Sequence, residues 1–182
     1  MLLFLDIISS IPEFCVIDDN KIILQQKITQ SETDKLSDNI IQSYIEIDKR
    51  LNLTKNLKKI STTIGPGSYT SLRVGSAFIS GLMISRNIPY YPLTIEDILN
   101  FNAIKHSKKN LGVFITSSNN QKFFCYKTKD NQMEYYKIEN NKYSIPKHID
   151  FILFNESKIN ENNEVEQMQF SFFEEFYNNY NN

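Results

Sequence analysis

What this sequence lacks narrows its function before any motif is considered. It has no tryptophan, two cysteines, two histidines, five glycines and a formal charge of only −1. Cys15 and Cys125 each sit between apolar or aromatic neighbours (Phe14 and Val16; Phe124 and Tyr126). Neither belongs to a CxxC pair, which leaves a zinc or dithiol site without support, and two buried thiols in a reducing compartment are expected. Acids and bases balance in both halves of the chain, which argues against a protein that holds nucleic acid mainly through its own field. The densest basic run, Lys55-Asn56-Leu57-Lys58-Lys59, reads as a solvated turn ahead of a strand. No apolar run approaches the roughly 20 residues that cross a bilayer. Met1–Leu5 is apolar, but it has no basic flank, meets Asp6 at once and offers no cleavage site, so it reads as a buried strand. A soluble, cytoplasmic protein without membrane contact is expected.

What is present is enough for a real core. Of the 182 residues, 41% are hydrophobic, including ten tyrosines and thirteen phenylalanines. That suits one ordinary domain or two small lobes sharing an interface. The 21 asparagines read as compositional bias, and only the tail Tyr177–Asn182 reads as frayed.

Periodicity orders the chain. Leu2 to Ile8 is an apolar run of strand length. Phe14 to Asp18 and Lys21 to Ile28 form a hairpin about Asp18-Asp19-Asn20. A helix follows, capped by Ser31 or Thr33, with Leu36, Ile40, Ile41, Tyr44 and Ile47 at helical spacing. Lys59 to Ile64 is a strand, about Tyr69 to Arg86 a helix, and Ile88 to Leu93 a strand. Thr94 caps a short helix with Glu96 and Asp97 in its first turn. Strands at Leu111–Thr116, Lys122–Lys127, Glu134–Ile138 and Phe151–Asn155 and a terminal helix from about Glu164 complete the pattern. The polar stretch His106–Asn110 divides an N-terminal lobe, 1–105, from a smaller C-terminal lobe, 106–182. The class is α/β.

Four of the five glycines (Gly65, Gly67, Gly75, Gly81) fall within seventeen residues. Gly65-Pro66-Gly67 joins a strand to a helix, and Ser68 or Thr70 can cap that helix. A helix N-terminus of this kind can hold an anion, yet the segment lacks the Lys-Ser/Thr end of a P-loop and the spacing of a dinucleotide motif. A phosphate cradle and a tight structural turn both stand as readings. The helix itself mixes Ser71, Gly75, Ser76, Ala77, Ser80 and Gly81 with Leu72, Phe78, Ile79, Leu82 and Met83. Two interior glycines cost about 1 kcal/mol each relative to alanine, which is odd unless something presses against them. That partner is either the chain's own sheet or another subunit.

The run Gly65-Pro66-Gly67-Ser68-Tyr69-Thr70-x-Leu72-Arg73-Val74-Gly75, then Gly81-Leu82 and Asn87-Ile88-Pro89, resembles the signature of the TsaB (YeaZ) family, and Leu3-Phe4-Leu5-Asp6 is similar to its first strand. The resemblance implies a two-lobed actin-like (sugar kinase) fold with a shortened second lobe. It also implies a non-catalytic subunit that pairs with a TsaD-type subunit, and works with a TsaE-type ATPase, to add threonylcarbamoyl to an adenosine beside the anticodon of tRNA. A homodimer is implied when the protein is alone, and tRNA is reached only through the complex. The implied partner face lies on Ser71, Leu72, Gly75, Phe78, Ile79 and Leu82, aimed by the loop Gly65, Pro66, Gly67, Ser68, Tyr69, Thr70 and Arg73. No cofactor of its own is implied, with ATP or ADP at most at the complex interface.

The residues bear on catalysis too. TsaD-like relatives hold a metal through an HxxxH pair, whereas here His106 and His148 stand far apart and read as surface residues. Asp6 is followed by Ile7-Ile8-Ser9-Ser10, a poor phosphate cradle, and no Ser/His/Asp arrangement is apparent. Three departures from the family stand out: Thr33 where a histidine is usual, Ser71 where a glycine is usual, and Thr116-Ser117-Ser118 in place of an Asp-Ala-Arg stretch. The rival reading is an actin-fold ATPase or kinase using Asp6 and the Gly65–Gly67 loop. A metalloprotease lacks its ligands.

Overall fold

The computed structural model describes residues 1–84, 86–108, 110–140, 143–156 and 165–180. Strand β1 (Leu2–Asp6) is buried on both faces, which is why it reads as an unbroken apolar run. It pairs antiparallel with β2 (Glu13–Asp18), which pairs antiparallel with β3 (Lys21–Lys27). The β2–β3 turn places Asp19 and Asn20 at φ 44° and 58°, a double left-handed turn that Asp and Asn tolerate.

Helix α1 (Leu36–Leu51) buries Leu36, Ile40, Ser43, Tyr44 and Ile47. Its N-cap is Lys35 without a side-chain cap, not Ser31 or Thr33. Those residues lie in a preceding turn, where the Asp34 carboxylate accepts from the Gln30 and Ser31 amides. A single-turn α2 (Leu53–Asn56) leads to β4 (Lys59–Thr63), then α3 (Tyr69–Ile84), β5 (Tyr90–Leu93) and α4 (Ile95–His106). Thr94 caps α4 as the sequence predicts, and the Asp97 side chain returns the bond, making a reciprocal capping box.

The second half repeats the first. The first sheet runs β3-β2-β1-β4-β5. The second contains β6 (Leu111–Ser117), β7 (Gln121–Lys127), β8 (Met133–Ile138), β9 (Phe151–Phe154) and β10 (Glu166–Gln169), ordered β8-β7-β6-β9-β10. In each, an antiparallel meander supplies three strands and two parallel strands extend the far side. A helix follows the fifth strand in both halves: α4 after β5, and α5 (Phe172–Tyr180) after β10.

These two helices pack against each other between the sheets. Phe4 of β1 meets Phe173 and Phe176 of α5 with ring centroids 5.6 and 4.8 Å apart, so the C-terminal helix closes the core of the N-terminal half. Alternation along β1 sends Leu2 and Phe4 to this central layer and Leu3 and Leu5 to α1 and α3 on the other face. Cys15 and Cys125 are buried free thiols.

The C-terminal segment differs from the sequence reading. Glu164 lies outside the described residues, Glu166–Gln169 is an edge strand, and the helix starts only at Phe172. Residues 177–180 are helical rather than frayed, with Lys59 Nζ donating to the Tyr180 hydroxyl; Asn181 and Asn182 lie outside the described residues. Among the described residues no helix is long and apolar enough to cross a membrane.

Candidate functional site

The Gly65–Gly67 loop carries β4 into α3 at the junction of the two halves. Gly65 has φ +20°, a conformation side chains avoid, and the Gly65–Pro66 bond is cis. The loop meets the β6–β7 turn of the second half. The Ser68 amide donates to Ser117 Oγ at 2.9 Å, and Ser71 Oγ and Ser118 Oγ lie 3.0 Å apart. A Cβ on Gly67 would stand 3.4 Å from Ser117 Oγ, at van der Waals contact with the second half. Ser68, Ser71 and Ser117 are buried. The amide best placed to bind an anion at this helix end is therefore engaged by the chain's own serine. Tyr69 and Arg73 remain outside, the guanidinium 4.2 Å from the phenol centroid, with Thr70 exposed beside them.

Asp6 stands at the end of β1, where the two halves part. Its Oδ1 accepts from the Ile8 amide at 2.9 Å and from Thr63 Oγ1 at 3.1 Å, and Ser9 Oγ donates to its Oδ2 at 2.6 Å. Burial nevertheless prevails over these hydrogen bonds and raises its pKa. A cavity of about 420 Å³ opens in front of it, with Glu13 and Glu174 among its lining residues. Glu156 lies nearby and accepts from the Ser10 amide at 2.6 Å, a second tie between the halves. Burial raises the Glu13 and Glu156 pKa values, and the neighbouring Asp6 charge adds to both. The cavity's described lining holds no lysine or arginine. A triphosphate placed there would meet carboxylates rather than cations.

The residues expected on a partner face divide differently from expectation. Ser71, Gly75, Phe78 and Ile79 are buried within the chain, and only Leu72 and Leu82 are half-buried. Gly75 is small because β1's extension passes behind it: a Cβ there would lie 2.6 Å from Ile7 Cδ1 and 2.7 Å from Cγ2. Phe78 meets Phe14 and Tyr44 edge-on or tilted. These side chains serve the chain's own core. The outward stripe of α3 is instead Tyr69, Arg73, Ser76, Ala77, Ser80, Gly81 and Ile84. A Cβ on Gly81 would meet nothing within 4 Å. Ile84 is 87% exposed, and on adjacent α1 Ile41 and Ile45 are exposed as well.

Sequence reasoning missed the serine latch at Ser117 and Ser118, and the carboxylates gathered about Asp6. The latch, Glu156 and Glu174 come from the second half, and Glu13 faces Asp6 across β1 and β2; no local pattern encodes either. The outward stripe falls within one side of a 3.6-residue wheel, but small residues stand on both sides, so the sequence does not say which side is outer. His106 and His148 are half-buried rather than on the surface: His106 stacks on Phe151 at 5.2 Å and His148 meets Tyr126 at 5.6 Å. No group of three metal-ligating side chains occurs among the described residues.

Comparison with known proteins accords with this architecture. The family model of TsaD, tRNA N6-adenosine threonylcarbamoyltransferase, matches residues 23–174. No curated protein matches. Among solved structures, an uncharacterized Pseudomonas aeruginosa protein with similarity to peptidase YeaZ is similar at 13% identity with a TM-score of 0.57. YeaZ from Pseudomonas aeruginosa is similar at 13% identity and 0.56. Both likenesses cover 84% of this chain and 74% of the other. They show a shared two-lobed α/β fold. The chain belongs to the TsaD (tRNA N6-adenosine threonylcarbamoyltransferase) family, and it shares its fold with YeaZ.

Proposed function

We propose that the chain is a non-catalytic partner subunit of the machinery that adds threonylcarbamoyl to adenosine in tRNA, working by pairing with a TsaD-type catalytic subunit. The observation that carries this reading is the outward stripe of α3. Ser76, Ala77, Ser80 and Gly81 leave its backbone open to close approach, and Ile84 with Ile41 and Ile45 of α1 adds an unpartnered apolar border. A second helix pair laid on this surface would bury apolar area that the chain leaves in water. Pairing with a second copy uses the same surface when the catalytic subunit is absent. A TsaE-type ATPase joins the assembly, and the complex acts in the cytoplasm.

Silence in catalysis is supported by the cleft. Asp6 is tied to its own loop, carboxylates surround it, and the α3 amide that could hold a phosphate is held by Ser117. The rival ATPase reading needs a phosphate site in that place and finds a negative one. Any ATP or ADP belongs to the interface of the complex rather than to this chain.

Size-exclusion chromatography with the cognate TsaD-type subunit tests the pairing. Co-elution of the wild type, lost in Gly81→Leu with a melting temperature no lower than the wild type's, is the expected result. Separate elution of the wild-type proteins would overturn the proposal.

A further inference from the structure

Two lobes on one chain are free to swing unless their interface is broad and apolar. Here the interface is a single packed layer. Phe4 and Leu93 from the first sheet, Val113 and Leu153 from the second, and Phe172 and Phe176 from α5 belong to one buried cluster. The rings of Phe4 and Phe176 stack with an angle of 25° between their planes. Lobes that close on a ligand turn about a few hinge residues and need a cleft that opens on one side of the pivot. A packed layer resists such turning, because its side chains interdigitate at close-packed density.

The layer is also tied at both ends. At the C-terminal end of β1 the serine latch joins the loop before α3 to the β6–β7 turn, and the Ser10 amide donates to Glu156 Oε1 at 2.6 Å. A second set of ties lies at the N-terminal end of the same strand. The register puts Leu2 opposite Ile17 and beside Lys59, so the β2–β3 turn and Lys59 both stand at that end. Each meets the last turn of α5. The Tyr177 hydroxyl donates to the Asn20 carbonyl at 2.8 Å, and Lys59 Nζ donates to the Tyr180 hydroxyl. Turning the lobes to widen the Asp6 cleft breaks the serine latch. Turning them the other way pulls the α5 tyrosines from Asn20 and Lys59. Neither direction is free.

We infer that the two lobes are fastened at both ends of their shared layer, so that the chain presents its outward helices as one rigid body and works without lobe closure. This takes the partner-subunit reading as given and adds how such a subunit acts: by fixed shape, with no ligand-driven movement of its own.

The test is the distance between spin labels on the two lobes, measured by double electron–electron resonance on the full chain. Lys55→Cys on α2 and Lys129→Cys in the β7–β8 turn are exposed positions for the labels, and the buried Cys15 and Cys125 stay unlabelled. The expected result is one narrow distance that shifts by less than about 2 Å on adding ATP with magnesium or the TsaD-type subunit. Combining Ser117→Ala with Tyr177→Phe and Tyr180→Phe loosens both ends while keeping every ring, and should broaden the distribution; circular dichroism confirms that this variant folds. A second distance in the labelled wild-type background, a larger shift with either addition, or an unchanged distribution in the loosened variant would overturn the inference. Hydrogen exchange of the Ser68 amide in the unlabelled protein needs no variant. It should be as slow as that of the buried β1 amides, and faster exchange would also overturn the inference. Co-elution with the TsaD-type subunit, measured on the same preparations, keeps the two readings apart: pairing with a shifted distance removes this one alone, and a fixed distance without pairing removes only the other.

Discussion

Ser117 Oγ of the second lobe stands 2.9 Å from the Ser68 amide of the first, with both residues buried. The contact turns the glycine-rich loop into a latch between lobes. Ser117→Ala leaves that amide buried without a partner, at a cost of about 1–3 kcal/mol. Ser118 is only half-buried and pairs hydroxyl to hydroxyl with Ser71, so Ser118→Ala should cost less. Urea unfolding of the two variants checks the order. Equal losses would show that the amide is satisfied some other way.

Gly75 carries the second prediction, because Ile7 occupies the space its side chain would take. Gly75→Ala gains helix propensity of about 1 kcal/mol. It must also push a fully packed Ile7 aside, and overpacking of this kind costs about 1–3 kcal/mol. Gly75→Leu should fail to fold, whereas Gly81→Leu should fold normally. Thermal melts of the pair discriminate: a stable Gly75→Leu protein would mean that this helix face is external after all.

That contrast shows what the sequence carries and what it withholds. Apolar runs and periodicity give the first nine strands and the major helices because each residue's neighbours in sequence decide its environment. The Asp19-Asn20 turn and the Thr94–Asp97 cap are equally local. β10 is invisible, since Glu166-Gln167-Met168-Gln169 has no apolar alternation and becomes a strand only by pairing with β9. The small residues of α3 are visible, but they lie on both sides of the helix, and only Ile7 behind Gly75 tells the inner side from the outer. Asp6 draws notice as an acid ending an apolar strand; Glu13, Glu156 and Glu174 join it through folding alone.

The two thiols offer a third check. Cys15 and Cys125 are completely buried, and burial raises both thiols far above the ordinary range. Thiolates are the reactive form, so neither should react with a thiol reagent in the native state at neutral pH. Both should react once the chain is unfolded in guanidinium. Rapid labelling of the native protein would show that the central layer around α4 and α5 opens readily.

The last prediction concerns the carboxylates at the cleft. Burial sets the Asp6, Glu13 and Glu156 pKa values above 3.8, 4.5 and 4.5 respectively, the values for the groups in water. A folded state with raised pKa values binds protons more tightly than the unfolded chain does. The stability these groups contribute is therefore present below the unfolded pKa values and is lost as pH rises through the folded ones. The melting temperature should rise on going from pH 7 to about pH 5. Each kcal/mol would move it about 2–4 °C in a chain of this size. Asp6→Asn removes the most deeply buried of these charges yet keeps an oxygen to accept from the Ile8 amide and Thr63. It should melt above the wild type at pH 7 and show a flatter pH dependence. Differential scanning calorimetry from pH 5 to 8 makes the comparison. A variant that melts lower at pH 7 would mean that the hydrogen bond from Ser9 Oγ to Oδ2, which the amide nitrogen cannot accept, outweighs the cost of burying the charge.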